Sequence, residues 1–150
     1  MIFVAVGTND FDALIEKMDE MAPTLPEGVV MQIGNGQYVP RNCQYFRFAP
    51  SLESYYDGAT IVVSHGGLGI TTEALERGKK LVGVENSTCH GAHQQELLST
   101  LSEEGYMLWC QDVDELPEAL ERARRHEFKK YVASRCEIHT VVSDFLQKQG

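Results

Sequence analysis

The apolar positions of this chain fall into two alternating periods. Runs of consecutive apolar, often β-branched residues recur at Ile2–Val6, Val29–Ile33, Thr60–Ser64, Leu81–Val84 and Tyr106–Cys110, with an aromatic-rich run at Gln44–Phe48. Short, largely apolar runs that do not alternate predict strands buried on both faces. Between them the apolar residues recur at helical spacing. Phe11, Leu14, Ile15, Met18 and Met21 predict a helix with Asn9 or Asp10 as N-cap, stopped by Pro23 and Pro26. Pro50-Ser51 opens a short helix through Tyr56. Thr71, Thr72 and Glu73 open another, which ends at Gly78, a residue suited to the position after a helix. Leu97, Leu98 and Leu101 mark a helix closed by Gly105, and Asp114 is expected to cap one with Pro117 in its first turn. Phe128, Tyr131, Val132, Ile138, Val142, Phe145 and Leu146 predict a last amphipathic helix.

Strands alternating with helices predict an α/β fold, a doubly wound, Rossmann-like parallel sheet of about six strands. The expected strand order is 3-2-1-4-5-6. In that order the first and fourth strands are neighbours at a topological switch point, where ligands bind outside the carboxyl ends of the strands. The loops Gly7-Thr8-Asn9 and His65–Gly69 would then face each other across one crevice. A length of 150 residues suits a single domain spanning 1–150, and 43% hydrophobic residues suffice for a core.

The turn after the fourth predicted strand is the strongest chemical signal. His65 is followed by Gly66, Gly67 and Gly69, three glycines in four positions, and then by the predicted helix. Glycines let the backbone turn sharply and approach a ligand closely. A helix N-terminus presents free N–H groups and the positive end of a dipole, which suits phosphate. Two common phosphate sites fit poorly. The loop after the first strand is Gly7-Thr8-Asn9-Asp10 and lacks the glycine pattern of a dinucleotide fold, and no P-loop signature occurs.

Charge narrows the partners. A net charge of −9 argues against a general nucleic-acid binder, which needs a basic surface. Arg122, Arg124, Arg125, Lys129, Lys130 and Arg135 cluster with only Glu127 against them locally. They read either as a solvated helix face or as a patch facing an acidic partner or anionic lipid. Cys43, Cys89, Cys110 and Cys136 form no C-x-x-C pair and read as reduced thiols. No signal peptide or membrane span is evident, so a cytoplasmic protein is expected. Cys89, His90 and His93 form a weak alternative metal set with no fourth partner, and no metal is expected.

The segment His65–Lys79, H-G-G-L-G-I-T-T-E-A-L-E-R-G-K, and the segment Gly91–Leu97, G-A-H-Q-Q-E-L, resemble the donor-binding half of GT-B glycosyltransferases. Together with the opening I-F-V-A-V-G-T, the chain is similar to the glycosyltransferase family 28 C-terminal domain. Within that family it resembles stand-alone donor-binding subunits of two-part UDP-GlcNAc-type transferases. The resemblance runs to about Asp112.

The resemblance implies roles for particular residues. Gly66, Gly67, Gly69 and Thr71 would line the donor diphosphate, with Thr72 beside them. Glu73 would accept hydrogen bonds from the ribose, although its position alone fits a helix-capping carboxylate equally well. His65 would border the phosphates, where a lone histidine otherwise reads as a satisfied loop residue. Ala49 would sit where backbone groups hold the uracil. His93, Gln94 and Gln95 would contact the donor sugar, and Gly7, Thr8 and Asn9 would form the opposite wall. Ile70 departs from the pattern: relatives often place serine there, so one hydroxyl donor is missing, with Thr71 or Thr72 positioned to replace it.

The activity so implied is inverting transfer of a sugar, N-acetylglucosamine by expectation, from a UDP-sugar to a lipid-linked or polysaccharide acceptor. No cofactor is implied. No residue stands out as the general base. The acceptor-binding half of a two-domain enzyme is absent, so a membrane-anchored partner subunit is expected to supply it. Membrane contact would then be indirect, with the chain peripheral at the cytoplasmic face. Two other readings remain open: a UDP-sugar-binding module or sensor without turnover, and an enzyme like the UDP-sugar 2-epimerases.

Overall fold

A computed structural model describes residues 1–7, 10–65, 68–85, 99–126 and 128. Six strands, β1 (Ile2–Ala5), β2 (Val29–Gln32), β3 (Gln44–Phe46), β4 (Ile61–Ser64), β5 (Lys80–Val84) and β6 (Leu108–Cys110), form one sheet. Its order is β3-β2-β1-β4-β5-β6 and every pairing is parallel. The doubly wound expectation therefore holds, with β1 flanked by β2 and β4. Registers such as Ala5 opposite both Gln32 and Ser64 align the carboxyl ends of these three strands.

Both faces of β1, β2, β4 and β5 are covered, which explains their apolar runs, whereas the edge strand β3 leaves Gln44 and Tyr45 exposed. Side chains alternate across a strand, so β1 feeds two cores. Ile2 and Val4 point toward α1 (Asp12–Met21) and α4 (Leu116–Arg125), among Leu14, Ile15, Met18, Leu116 and Leu120. Phe3 and Ala5 point toward α2 (Glu53–Gly58), α3 (Leu68–Glu76) and the helical residues 99–103, among Tyr56, Ala74, Leu75 and Leu101. Tyr55 stacks between Phe3 and Phe46, with ring centroids 5.4 and 4.5 Å away, and so fixes α2 beneath the β3 edge.

Helix ends follow the glycines. Gly78 takes φ +70°, its N–H reaching the Leu75 carbonyl and that of Lys79 the Ala74 carbonyl, a Schellman cap. Gly105 closes residues 99–103 in the same way, with the Tyr106 N–H on the Leu101 carbonyl. That bond takes Tyr106 out of the last strand, which starts at Leu108 rather than Tyr106.

Helix starts are where expectation and structure differ. The N-cap of α1 is Phe11, not Asn9 or Asp10, and no side chain caps it. The first-turn Asp12 faces another loop, accepting from the Gln37 and Tyr38 amides at 2.9 and 3.1 Å. The short helix after Pro50 begins at Glu53. Asp114 does not cap α4: Asp112 does the capping one turn earlier, accepting from the Asp114 N–H at the head of a 3-10 turn, Val113–Glu115. The last predicted helix lies outside the described residues except Phe128, which packs on the α1–α4 core. No helix among the described residues is long and apolar enough to cross a membrane.

Candidate functional site

The site is built where β1 and β4 part company. Past β1 the chain turns at Gly7, whose φ of +64° is accessible to glycine at little cost. A Cβ on Gly7 would lie 3.7 Å from both the His65 ring and Ile70, ordinary contact distance. Gly7, at the turn past β1, therefore meets His65 and Ile70 on the β4 side of the switch point. Thr8, Asn9, Gly66 and Gly67 lie outside the described residues.

His65 follows β4 directly and is 4% exposed. Burial pushes its pKa below the ordinary value, against a weaker opposing hydrogen bond to Ala5, so the imidazole is neutral at physiological pH. Its Nδ1 is buried with no hydrogen-bond partner among the described residues, and so is the hydroxyl of Thr71. Buried polar atoms of this kind carry a cost unless a ligand or water completes them. A neutral histidine adds no positive charge, so attraction for an anion rests on the start of α3.

α3 begins at Leu68, three residues before the predicted Thr71. Gly69 consequently occupies the exposed first turn, and a Cβ there would meet nothing within 4 Å among the described residues. Among the described residues nothing crowds the approach to the N–H groups that have no intrahelical acceptor. Ile70, where a serine was expected by resemblance, packs into the Phe3 core at 9% exposure.

Glu73 lies in the second turn of α3 rather than the first, so it does not cap the helix. Its Oε1 accepts from Nε of Arg77 at 2.9 Å. Arg77 also reaches Asp57 at 2.6 Å and Glu53 at 3.3 Å, and lies 5.8 Å from the Tyr56 ring centroid. The glutamate is thus held in a network joining α3 to α2. Thr72 is half-buried beside it. Ala49 is half-buried just past β3. His93, Gln94 and Gln95, and with them the Cys89–His90–His93 metal alternative, lie outside the described residues.

Gln32 is the residue that sequence reasoning passed over. It ends β2 and is 2% exposed. Its Oε1 accepts from the Val6 and Gly7 amides at 3.0 and 2.8 Å. Its Nε2 donates to the Gly7 and Arg47 carbonyls, both at 2.7 Å. The available signal was a single carboxamide at the carboxyl end of an otherwise apolar strand.

A cleft of about 750 Å³ lies elsewhere, beside α1 and the ends of β5 and β6. Asp10, Asp12, Glu16, Glu20, Glu85, Asp112 and Asp114 line it against Lys17 alone. That charge repels a diphosphate, so the crevice at β1 and β4 is the better candidate. The basic cluster is also less free than local sequence implies. Arg124 is clamped by Glu27, with both bonds at 2.8 Å, and by Glu121.

Comparison with known proteins adds to this geometry. A family model described as the glycosyltransferase family 28 C-terminal domain matches residues 1–148. UDP-N-acetylglucosamine transferase subunit ALG13 of Homo sapiens is 34% identical over 122 residues, which cover 73% of this chain and 11% of that protein. The chain thus matches only about a tenth of that relative's length. The solution NMR structure of ALG13 superposes with a TM-score of 0.66 at 20% identity, covering 94% of this chain and 93% of that one. The calicheamicin glycosyltransferase CalG4 gives 0.67 at 20% identity, covering 99% and 44%. These structural likenesses concern the fold.

Proposed function

The chain belongs to the glycosyltransferase family 28 C-terminal domain family, and from that premise we propose that it is the donor-binding, catalytic subunit of a two-part glycosyltransferase. The donor is a UDP-sugar, UDP-N-acetylglucosamine in the first instance, which is the sugar nucleotide named for the human relative. The observation that carries the reading is the meeting of Gly7 with His65 and Ile70 beside the open first turn of α3. It puts a glycine wall against a helix N-terminus at the switch point of the sheet.

In this reading the diphosphate accepts from the first N–H groups of α3, around Gly66, Gly67 and Gly69, with Thr71 adjoining. Glu73 turns its second carboxylate oxygen to the ribose while Arg77 holds the first. The segment at Ala49 receives the uracil, and His93, Gln94 and Gln95 receive the sugar. In an inverting transfer an acceptor hydroxyl attacks the anomeric carbon as UDP leaves, and negative charge builds on the departing diphosphate. A preorganised helix N-terminus stabilises that charge. The attacking hydroxyl also needs a general base, which we assign to the partner subunit that brings the lipid-linked or polysaccharide acceptor. Residues 1–150 act as one nucleotide-sugar domain, and contact with the membrane runs through the partner.

The test is a calorimetric titration of the chain with UDP-N-acetylglucosamine, UDP-glucose and UDP, repeated with Glu73→Ala. Saturable binding that weakens in the variant is expected, with transfer appearing only when the partner is co-expressed. Robust transfer by the chain alone would sink the two-part reading. Absence of nucleotide binding both alone and with the partner would sink the donor assignment.

A further inference from the structure

We propose that Gln32 is a positioning residue that fixes the Gly7 wall of the donor crevice relative to the segment after β3 proposed for the uracil. The proposal rests on the donor reading above. A primary amide has two N–H donors and an oxygen with two lone pairs. Gln32 uses all four, on Val6 N, Gly7 N, Gly7 O and Arg47 O, at 2.7–3.0 Å. The network also fixes the orientation of the amide. A flipped amide would set N–H against N–H and oxygen against two carbonyls.

The four bonds join the carboxyl ends of three strands. Gly7 belongs to the loop after β1, and a Cβ on it would contact His65 and Ile70. Arg47 follows β3 and stands two residues before Ala49. Its own side chain donates from Nη1 to the Gly34 and Gly36 carbonyls, at 3.1 and 2.6 Å, tying the β3 end to the loop after β2. Through Gln32 the wall facing the diphosphate and the segment proposed for the uracil are referred to one buried side chain. The backbone ladder thins out at these ends, with Val6 N on the Gln32 carbonyl and Gly34 N on the Arg47 carbonyl, each at 3.3 Å, and the Gln32 amide adds shorter bonds. No other standard side chain supplies two donors and two acceptors from one planar group of this size except the shorter Asn. Gln32 touches no donor atom in this scheme: it acts through Gly7 and Arg47.

Two variants and two measurements test this. Gln32→Met keeps the volume and removes all four bonds. Amide hydrogen exchange at Gly7 should accelerate, and the dissociation constant for UDP-N-acetylglucosamine should rise roughly ten-fold or more, because the binding-competent arrangement is less populated. Gln32→Glu keeps the acceptor side and sets its second oxygen against the Gly7 and Arg47 carbonyls. That environment raises the pKa of the introduced carboxyl, so affinity should recover toward wild type as pH falls from about 8 to about 6, when protonation restores one donor. The donor's diphosphate bears no ionisation in that range, and samples are confirmed folded by circular dichroism at each pH. A residue with a purely structural role would change the folded fraction without giving affinity this pH slope. Wild-type affinity in a folded Gln32→Met, or a Gln32→Glu affinity that tracks wild type across pH, would overturn the proposal. A wild-type chain that binds no UDP-N-acetylglucosamine, alone or with the co-expressed partner, would overturn the donor reading instead. Exchange at Gly7 then still judges the clamp, and exchange unchanged in Gln32→Met would refute it.

Discussion

The first turn of α3 is where fold stability and donor binding should respond in opposite directions, and Gly69→Ala exposes the difference. Gly69 is the second residue of the helix and does not use a positive φ. A methyl group there would meet nothing within 4 Å among the described residues. The fold therefore gains from the substitution. Alanine is favoured over glycine in a helix by about 0.5–1 kcal/mol, less at the first turn, so a gain of roughly 0.5 kcal/mol is expected. For a chain of this size that raises Tm by roughly 1–2 °C. Donor binding should fall. A phosphate oxygen accepting from a first-turn N–H sits close to the backbone, and a methyl in that space pushes it out of hydrogen-bonding range. Losing one charge-assisted bond costs about 1.5–3 kcal/mol, which is roughly a 10- to 150-fold weaker dissociation constant. Because the two effects have opposite signs, instability cannot account for the loss of binding. Thermal denaturation and calorimetric titration with UDP-N-acetylglucosamine on the same two preparations measure both. A Gly69→Ala chain that is as stable as wild type and binds the donor equally well would refute the phosphate role of the α3 N-terminus.

Two further outcomes follow from the same structure. Asp19 is 1% exposed and accepts from the Asn42 amide at 2.7 Å, the Tyr38 hydroxyl at 2.8 Å and the Arg41 amide at 3.0 Å. Asp19→Ala orphans these donors and should lower unfolding free energy by roughly 3–4 kcal/mol, read as a fall in urea midpoint. Burial pushes the Asp19 carboxyl up, but its four hydrogen-bond donors together outweigh burial and hold it below the ordinary value. The group is then ionised in both states at neutral pH, and its stabilisation is complete above the unfolded value of about 3.9. Stability should thus hold from neutral pH to about pH 5 and fall as pH drops through the lowered folded pKa, with a shallower acid limb in Asp19→Asn. Gly7→Ala and Gly78→Ala form a matched pair, since φ is +64° at one and +70° at the other. Each should cost about 1–2 kcal/mol of stability through the left-handed conformation. Only Gly7→Ala should weaken UDP-N-acetylglucosamine binding, and equal weakening in Gly78→Ala would trace the effect to general destabilisation.

The sheet was legible because its strands are buried on both sides. Val4 and Phe3 must each be apolar for different cores, and that requirement writes an unbroken run into the sequence. Helix starts were less legible, since several local signals compete for them. The pair Ile70 and Ala74, buried at an i, i+4 spacing, already carried α3 back toward Leu68. The glycines and the following Thr71-Thr72-Glu73 drew the predicted start the other way. The N-cap of α1 was misplaced for a related reason. A capping residue in sequence is only a short polar side chain, and here the nearby Asp12 serves the loop at 37–38 instead.

The candidate site divides along the same line. What depends on local chain geometry could be read directly: a glycine-rich turn, a helix behind it, a glycine after β1. What depends on neighbours supplied by topology could not. Arg77 on Glu73 is an i, i+4 pair and visible in sequence, but Asp57 and Glu53 join it from another helix. Arg124 meets Glu27 across 97 residues, which turns an apparent free basic patch into a partly neutralised one. Gln32 is the sharpest case. In sequence it is a polar residue at the end of an apolar run, and a strand tolerates that without meaning. Its role exists only once β1 and β3 lie on either side of β2, with their carboxyl ends in register. A doubly wound sheet places its ligand crevice at those ends. The residues that shape such a crevice are therefore bound to be the ones whose partners are farthest away along the chain, and a buried amide with four backbone partners is the kind of group that topology alone can reveal.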